Sequence, residues 1–176
     1  MRALDLAPAG EREEFLDIGW YLLDLSAQAP NAWTLLLAHG SESFAELADD
    51  HAEALSAGGH DTLYFWCSDT VMCSAISAYH NGACRWSVEY DCEEDGGPKI
   101  HGDPPQLVHT LDRKVRDDQR VEDAKEAAEP TSFGAADVLY GLTAKIGEAL
   151  TSFNHSPWPQ PDEDPFEGMY QPLDKA

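Results

Sequence analysis

The segment Cys73–Asp91, CSAISAYHNGACRWSVEYD, constrains the fold more than any other part of the chain. Asn81-Gly82 is the pair that a type I′ turn demands, because both central positions need positive φ. A two-residue loop also sets which residues face each other. His80 is expected opposite Ala83, followed by Tyr79 with Cys84, Ser77 with Trp86, Ala75 with Val88 and Cys73 with Tyr90. That face is largely apolar and is expected to pack inward. His80, Ala78, Ile76 and Ser74, with Ala83, Arg85, Ser87 and Glu89, form the opposite face. Upstream, 62–68 alternates Leu63, Phe65 and Cys67 with Tyr64 and Trp66, which predicts a neighbouring strand. AWTLLLAHG, 32–40, predicts a buried strand stopped by Gly40.

Helical spacing appears around this sheet. Phe15, Ile18, Leu22 and Leu25 predict a helix over 11–26, with acids in its first turn. Trp20, Tyr21 and Leu23 make the run apolar all round, which leaves strand open for part of it. Residues 43–57 begin with a Ser43/Glu46 capping box and end at Gly58-Gly59. Phe44, Leu47, Ala48, His51 and Leu55 mark the apolar face of that helix. Asp103 is the expected N-cap of a further helix started by Pro104-Pro105. Leu107, Val108, Leu111 and Val115 are its buried stripe, and beyond Val115 it is nearly all charge. A last helix is expected over about 135–150, with Val138, Leu139, Leu142, Ile146 and Leu150 inward. The expected fold is α+β: an antiparallel sheet of about four strands with helices packed on one face. Residues 1–153 form one domain in this reading. Residues 154–176, with five prolines, form an extended acidic tail in which Trp158, Phe166, Met169 and Tyr170 are candidate anchors.

Charge restricts the choice of partner. The chain carries 33 acids against 11 Lys and Arg, a net charge of −22. Between Glu13 and Cys84 there is no Lys or Arg. Such a surface repels nucleic acid and anionic lipid and attracts a basic protein. The expected contact residues are Glu42, Glu46, Asp49, Asp50 and Glu53 in the acidic zone at 42–53, and Asp91, Glu93, Glu94 and Asp95 after the hairpin. Glu42–Glu46, Glu46–Asp50 and Asp49–Glu53 are like-charge i,i+4 pairs. Each costs a few tenths of a kcal/mol, and a cost retained without any Lys to offset it points to a face in use. The 162–167 part of the tail adds a third acidic zone. The alternative reading of this composition is salt adaptation with no specific partner.

Chemistry-bearing motifs are missing from the sequence. There is no glycine-rich phosphate loop, no H-E-x-x-H and no G-x-S-x-G. DCEEDGG lacks the bidentate Glu that completes a calcium loop. Cys67, Cys73, Cys84 and Cys92 have no C-x-x-C spacing and are expected to be buried, reduced thiols. His80 lies on the opposite face from Cys73 and Cys84, so no thiol–imidazole pair is expected. His51 is expected to be a core histidine. No catalytic residue, metal or cofactor is implied. The start of the chain lacks a basic segment followed by an apolar one, so the cytoplasm is the default compartment unless a leader has already been removed. No run approaches the roughly 20 apolar residues of a membrane helix. Nothing in the pattern sets an oligomeric state.

AISAYHNGACRWSVEYD, then GPKIHGDPP before a long charged helix, then LYGLTAKIG, together span roughly residues 70–150. This series resembles small uncharacterised bacterial proteins that are themselves similar to immunity proteins of bacterial toxin systems. The resemblance implies an α+β domain with a binding role and supplies no catalytic residues. The resulting expectation is a non-enzymatic protein that neutralises a basic partner, such as a toxin. A small enzyme or ligand-binding domain, with a pocket between sheet and helices, is the competing expectation.

Overall fold

The computed structural model describes residues 6–8, 19–24, 33–39, 51–153 and 171–175. Its strands are β1 (Leu6–Pro8), β2 (Gly19–Asp24), β3 (Thr34–His39), β4 (Asp61–Ser68), β5 (Cys73–His80), β6 (Ala83–Asp91), β7 (Lys99–Gly102) and β8 (Gln171–Lys175). Helical segments are 51–56 (α1), α2 (Gln106–Ala128) and α3 (Leu142–Thr151), the last preceded by a 3-10 turn at Leu139–Gly141. The fold is α+β, with antiparallel pairing throughout. The sheet expected around the hairpin is β4-β5-β6-β7, and a second four-stranded sheet has the order β1-β8-β2-β3.

The second sheet corrects the helix expected over 11–26 at its centre; 11–18 and 25–26 lie outside the described residues. Gly19–Asp24 is a strand, paired from Gly19–His39 to Asp24–Thr34. A run apolar on every side carries no helical stripe, and here strand partners on both sides, β3 and β8, use its backbone. Leu23 is fully buried. Gln171–Lys175, within the segment expected as a tail, pairs with both β1 and β2. The first part of the expected 43–57 helix lies outside the described residues; 51–56 is helical.

The β5–β6 turn forms as its sequence demands, with φ of 53° at Asn81 and 73° at Gly82. His80 faces Ala83 and Tyr79 faces Cys84. Beyond them the register shifts: Ala78 faces Trp86, Ile76 faces Val88, Ser74 faces Tyr90 and Cys73 faces Asp91. Arg85 is the extra residue of a β-bulge. One inserted residue reassigns every later pair, so the expected Ser77–Trp86, Ala75–Val88 and Cys73–Tyr90 pairs do not occur. Ile76, expected on the outer face, is instead fully buried.

Both faces of this sheet are covered in part. On one side Ile76, Trp86 and Val88 pack with Val108 and Val115 of α2 and with Leu142 and Ile146 of α3. Trp86 and Val88 are on the inward face that the patterning predicts, whereas Ile76 replaces the β5 residues expected beside them. On the other side Tyr64 and Tyr79 pack with Ala52 of α1 and with Trp66. The turn docks on α1 through Ser56: Asn81 N–H donates to its carbonyl (3.0 Å), and Gly82 N–H donates to its Oγ (2.9 Å).

Helix α2 starts at Gln106 with Pro105 in the cap position and no side-chain cap. Asp103 is therefore not its N-cap; the Asp103 backbone N–H donates to the Arg85 carbonyl at the bulge (3.2 Å). Val108 and Val115 are buried, whereas Leu107 is 37% exposed and falls outside the stripe. The charged second half of α2 carries the exposed pairs Arg120–Asp117 and Lys125–Glu122. Among the described residues no helix is long and apolar enough to cross a membrane.

Candidate acidic interface

The hairpin divides the expected acidic residues. Glu42, Glu46, Asp49 and Asp50 lie outside the described residues. Glu53 is exposed on α1, beside the hairpin tip that Ser56 holds. Asp91, Glu93, Glu94 and Asp95 lie at the other end of β6. An eight-residue strand is about 26 Å long, so Glu53 and the Asp91–Asp95 loop cannot engage one small patch.

The loop itself is well held. Asp91 Oδ1 accepts from the Glu93 backbone N–H (2.8 Å), and the Asp91 carbonyl accepts from Glu94 N–H (3.2 Å). This Asx-type turn reverses the chain while Gly96 and Gly97 adopt φ of 102° and 73°. Arg116 reaches across from α2. Its Nη1 donates to the Gly96 carbonyl (3.0 Å) and its Nη2 to the Pro98 carbonyl (2.6 Å). Asp112, one turn earlier, accepts from Arg116 Nε (2.8 Å) and aims the guanidinium. Lys99 pairs with Glu94, and that bond raises the Lys99 pKa. Glu93, Glu94 and Asp95 are exposed and Asp91 is half-buried.

Beside the loop, on the sheet face away from α2 and α3, is an open pocket of about 260 Å³. Trp66, Glu89, Asp91, Glu94 and Lys99 contribute to its wall. Three carboxylates and an indole suit a guanidinium or ammonium group, through charge-assisted hydrogen bonds and a cation–π contact. Glu89 and Lys99 are directly opposite each other in the β6–β7 register. Sequence reasoning missed Trp66, Glu89, Lys99 and Arg116 as parts of one arrangement. Alternation along β4 and β6 was the available signal for Trp66 and Glu89. Arg116 had none, because it sits in a run of charges that looks uniformly solvated.

Two phenols, Tyr90 buried and Tyr140 half-buried, brace this end of the fold. Tyr90 OH donates to Asp137 Oδ2 (2.6 Å), and Tyr140 OH donates to Asp69 Oδ1 (2.5 Å). Burial first, and then the carboxylate partner, pushes both phenol pKa values up. A phenol with a raised folded-state pKa adds stability that is complete below its unfolded pKa of about 10 and is lost as pH rises beyond it. Urea unfolding of the wild-type chain is expected to give a free energy that begins to fall above about pH 8.5, where the raised Cys67 and Cys73 thiols contribute, and falls more steeply above about pH 10, where the phenols do. Tyr90→Phe is expected to be less stable at neutral pH and to decline less steeply. Parallel declines in the two proteins would show that Tyr90 is not one of the groups responsible.

His80 Nδ1 meets Asp61 Oδ1 at 2.7 Å near the hairpin tip, away from Cys73. Cys84 and Cys92 are exposed, and Cys67 and Cys73 are half-buried, so the expectation of four buried thiols is corrected. Burial first, then Asp69, raises the Cys67 pKa, while a hydrogen bond with Tyr140 opposes the shift. Among the described residues, no three His, Cys, Asp or Glu side chains converge as metal ligands. No family model, curated protein or solved structure matches the chain.

Proposed function

We propose that this chain is a non-enzymatic binding protein that neutralises a basic partner through the Asp91–Asp95 loop and the pocket beside it. The observation that carries this reading is the ordered display of the loop. Arg116 fixes its backbone from behind, while Glu93, Glu94 and Asp95 face solvent. Among the described residues, Lys99 is the one cation ion-paired to a loop carboxylate. A loop whose backbone is held in place loses less entropy when a partner binds, so more of its attraction appears as affinity. A net charge of −22 adds long-range steering toward a positive surface.

The partner class that fits best is a basic enzyme whose groove accepts an anionic substrate, because fixed carboxylates can occupy phosphate positions. A bacterial toxin is such an enzyme, and the sequence resemblance to immunity proteins favours it. One Lys or Arg of the partner would enter the pocket over Trp66, between Glu89 and Asp91.

The test is affinity capture from the source-cell lysate, using immobilised wild type and the triple variant Glu93→Gln, Glu94→Gln, Asp95→Asn. Asp91 is left intact because it builds the turn. The expected result is a basic protein retained by wild type at low salt and bound at least tenfold more weakly by the variant, with a shallower salt dependence. Equal retention by both proteins, or the absence of a basic protein from the wild-type eluate, would overturn the proposal.

A further inference from the structure

Two thiols converge at the base of the acidic loop. The β4–β5 connection ends with Met72 at φ 49°, a left-handed value rarely adopted by a residue with a side chain. The Val71 carbonyl just before it lies outside the strand ladder. Cys73 Sγ donates to that oxygen at 3.3 Å, and Cys92 Sγ donates to the same oxygen at 3.4 Å. Sulfurs that share one acceptor at these distances lie within about 7 Å of each other. Cys73 faces Asp91 in the register, and Cys92 is the first residue past the end of β6. Strand alternation would turn Cys92 to the opposite face, but Cys92 is a turn residue and its Sγ reaches the Val71 carbonyl beside Cys73. A residue one step beyond a facing pair has its Cα about 6 Å away, inside the span a disulfide bridges.

We infer that Cys73 and Cys92 are an oxidation site, and that a small disulfide oxidant links them to each other. In the first step the Cys92 thiolate attacks one sulfur of the oxidant R–S–S–R. A mixed disulfide forms and one R–S⁻ leaves. The Cys73 thiolate then attacks the Cys92 sulfur of that adduct and expels the second R–S⁻. The two thiol protons pass to the two leaving thiolates. The balance is protein dithiol plus R–S–S–R giving protein disulfide plus two R–SH. Exposure assigns the steps: Cys92 is exposed and meets the oxidant, and half-buried Cys73 resolves the adduct.

The electrostatics select the oxidant. Asp91, Glu93 and Glu94 surround Cys92 and repel an anionic disulfide, so a neutral one reacts faster. Burial, then Asp91, raises the Cys73 pKa. A raised pKa leaves less Cys73 thiolate and so slows the resolving step. The bridge would tie the start of the Asp91–Asp95 loop to the β4–β5 turn. The inference stands on the two thiols alone and does not depend on the binding role proposed above.

Cys84 supplies an internal control. It is exposed near the hairpin tip, facing Tyr79 at the far end of β6. The folded full-length protein would be treated with the neutral reagent bis(2-hydroxyethyl) disulfide, alkylated with iodoacetamide and mapped by peptide mass spectrometry. The expected product is a Cys73–Cys92 crosslinked peptide, two hydrogens lighter than the reduced pair, with Cys84 stopping at the mixed disulfide. In Cys73→Ser, Cys92 should also stop at the mixed disulfide. Persistence of the Cys92 mixed disulfide in the wild-type protein would overturn the inference, as would crosslinking to Cys67, to Cys84 or between chains.

Discussion

Replacing Gly102 with alanine is expected to destabilise the protein by about 4 kcal/mol, the largest effect predicted for a single substitution here. Two costs act together. Gly102 has φ of 77°, a backbone state that strains any residue with a Cβ. An added Cβ would also fall 2.2 Å from the Arg85 carbonyl oxygen and 2.9 Å from Trp86 Cα. Both obstacles are backbone, so no side-chain rotation relieves them. The strand pair must separate at the bulge, where Asp103 N–H bonds the same Arg85 carbonyl. Trp86, which faces Gly102 and packs in the core with Val108, would shift with it. The contrast is Gly58→Ala. Gly58 also has a positive φ, 86°, but open space around it. It should lose only the backbone part, about 1 kcal/mol. Urea denaturation of both variants measures the difference. Equal losses would mean that the close approach at the bulge carries no energetic weight.

The bulge also shows where the sequence was legible and where it was not. The turn could be read from two residues because Asn-Gly has a local reason to form it. The strands beside it could be read from alternation, and Trp86, Val88 and Tyr90 were assigned to the correct inner face. Their partners on β5 were not. Nothing in Cys84-Arg85-Trp86 signals an inserted residue. The insertion is held from outside, by the close packing of Gly102 and the hydrogen bond from Asp103, both on a later part of the chain. Ile76 and Ser77 exchanged roles as a result. The helix expected over 11–26 gave way to a strand at Gly19–Asp24 for a related reason. Its apolar residues show that it is buried, but only the strands that flank β2 decide how.

The acidic site divides along the same line. Residue type alone picked out Asp91, Glu93, Glu94 and Asp95 as surface acids. It also grouped them with Glu53, although the length of the hairpin puts the two sets at opposite ends. The cation that organises the loop was invisible, since Arg116 is one charge among many on α2 and acts through carbonyls rather than through the loop carboxylates. Backbone carbonyls leave no trace in a charge pattern.

Arg116→Ala is accordingly expected to cost about 3 kcal/mol, the second largest effect. The guanidinium makes three hydrogen bonds, to Asp112, Gly96 and Pro98, and its side chain is 33% exposed. Bonds from a charged donor are worth about 1.5–3 kcal/mol each, and bonds made by one group do not add fully. Its loss also leaves the carbonyl of buried Pro98 without this donor, and leaves the Asp112 carboxylate, 16% exposed, without its counter-charge. Arg116→Lys keeps the charge and can restore the Asp112 pair, but one ammonium cannot span two carbonyls with the same fork. It should recover about half of the stability. Hydrogen exchange separates the local effect from the global one. In Arg116→Ala, the amides of Glu93 and Glu94 are expected to exchange faster under conditions where amides at the centre of β5 remain protected. If both sets accelerate equally, Arg116 braces the whole sheet, and the order of the acidic loop comes from Asp91 and the two glycines.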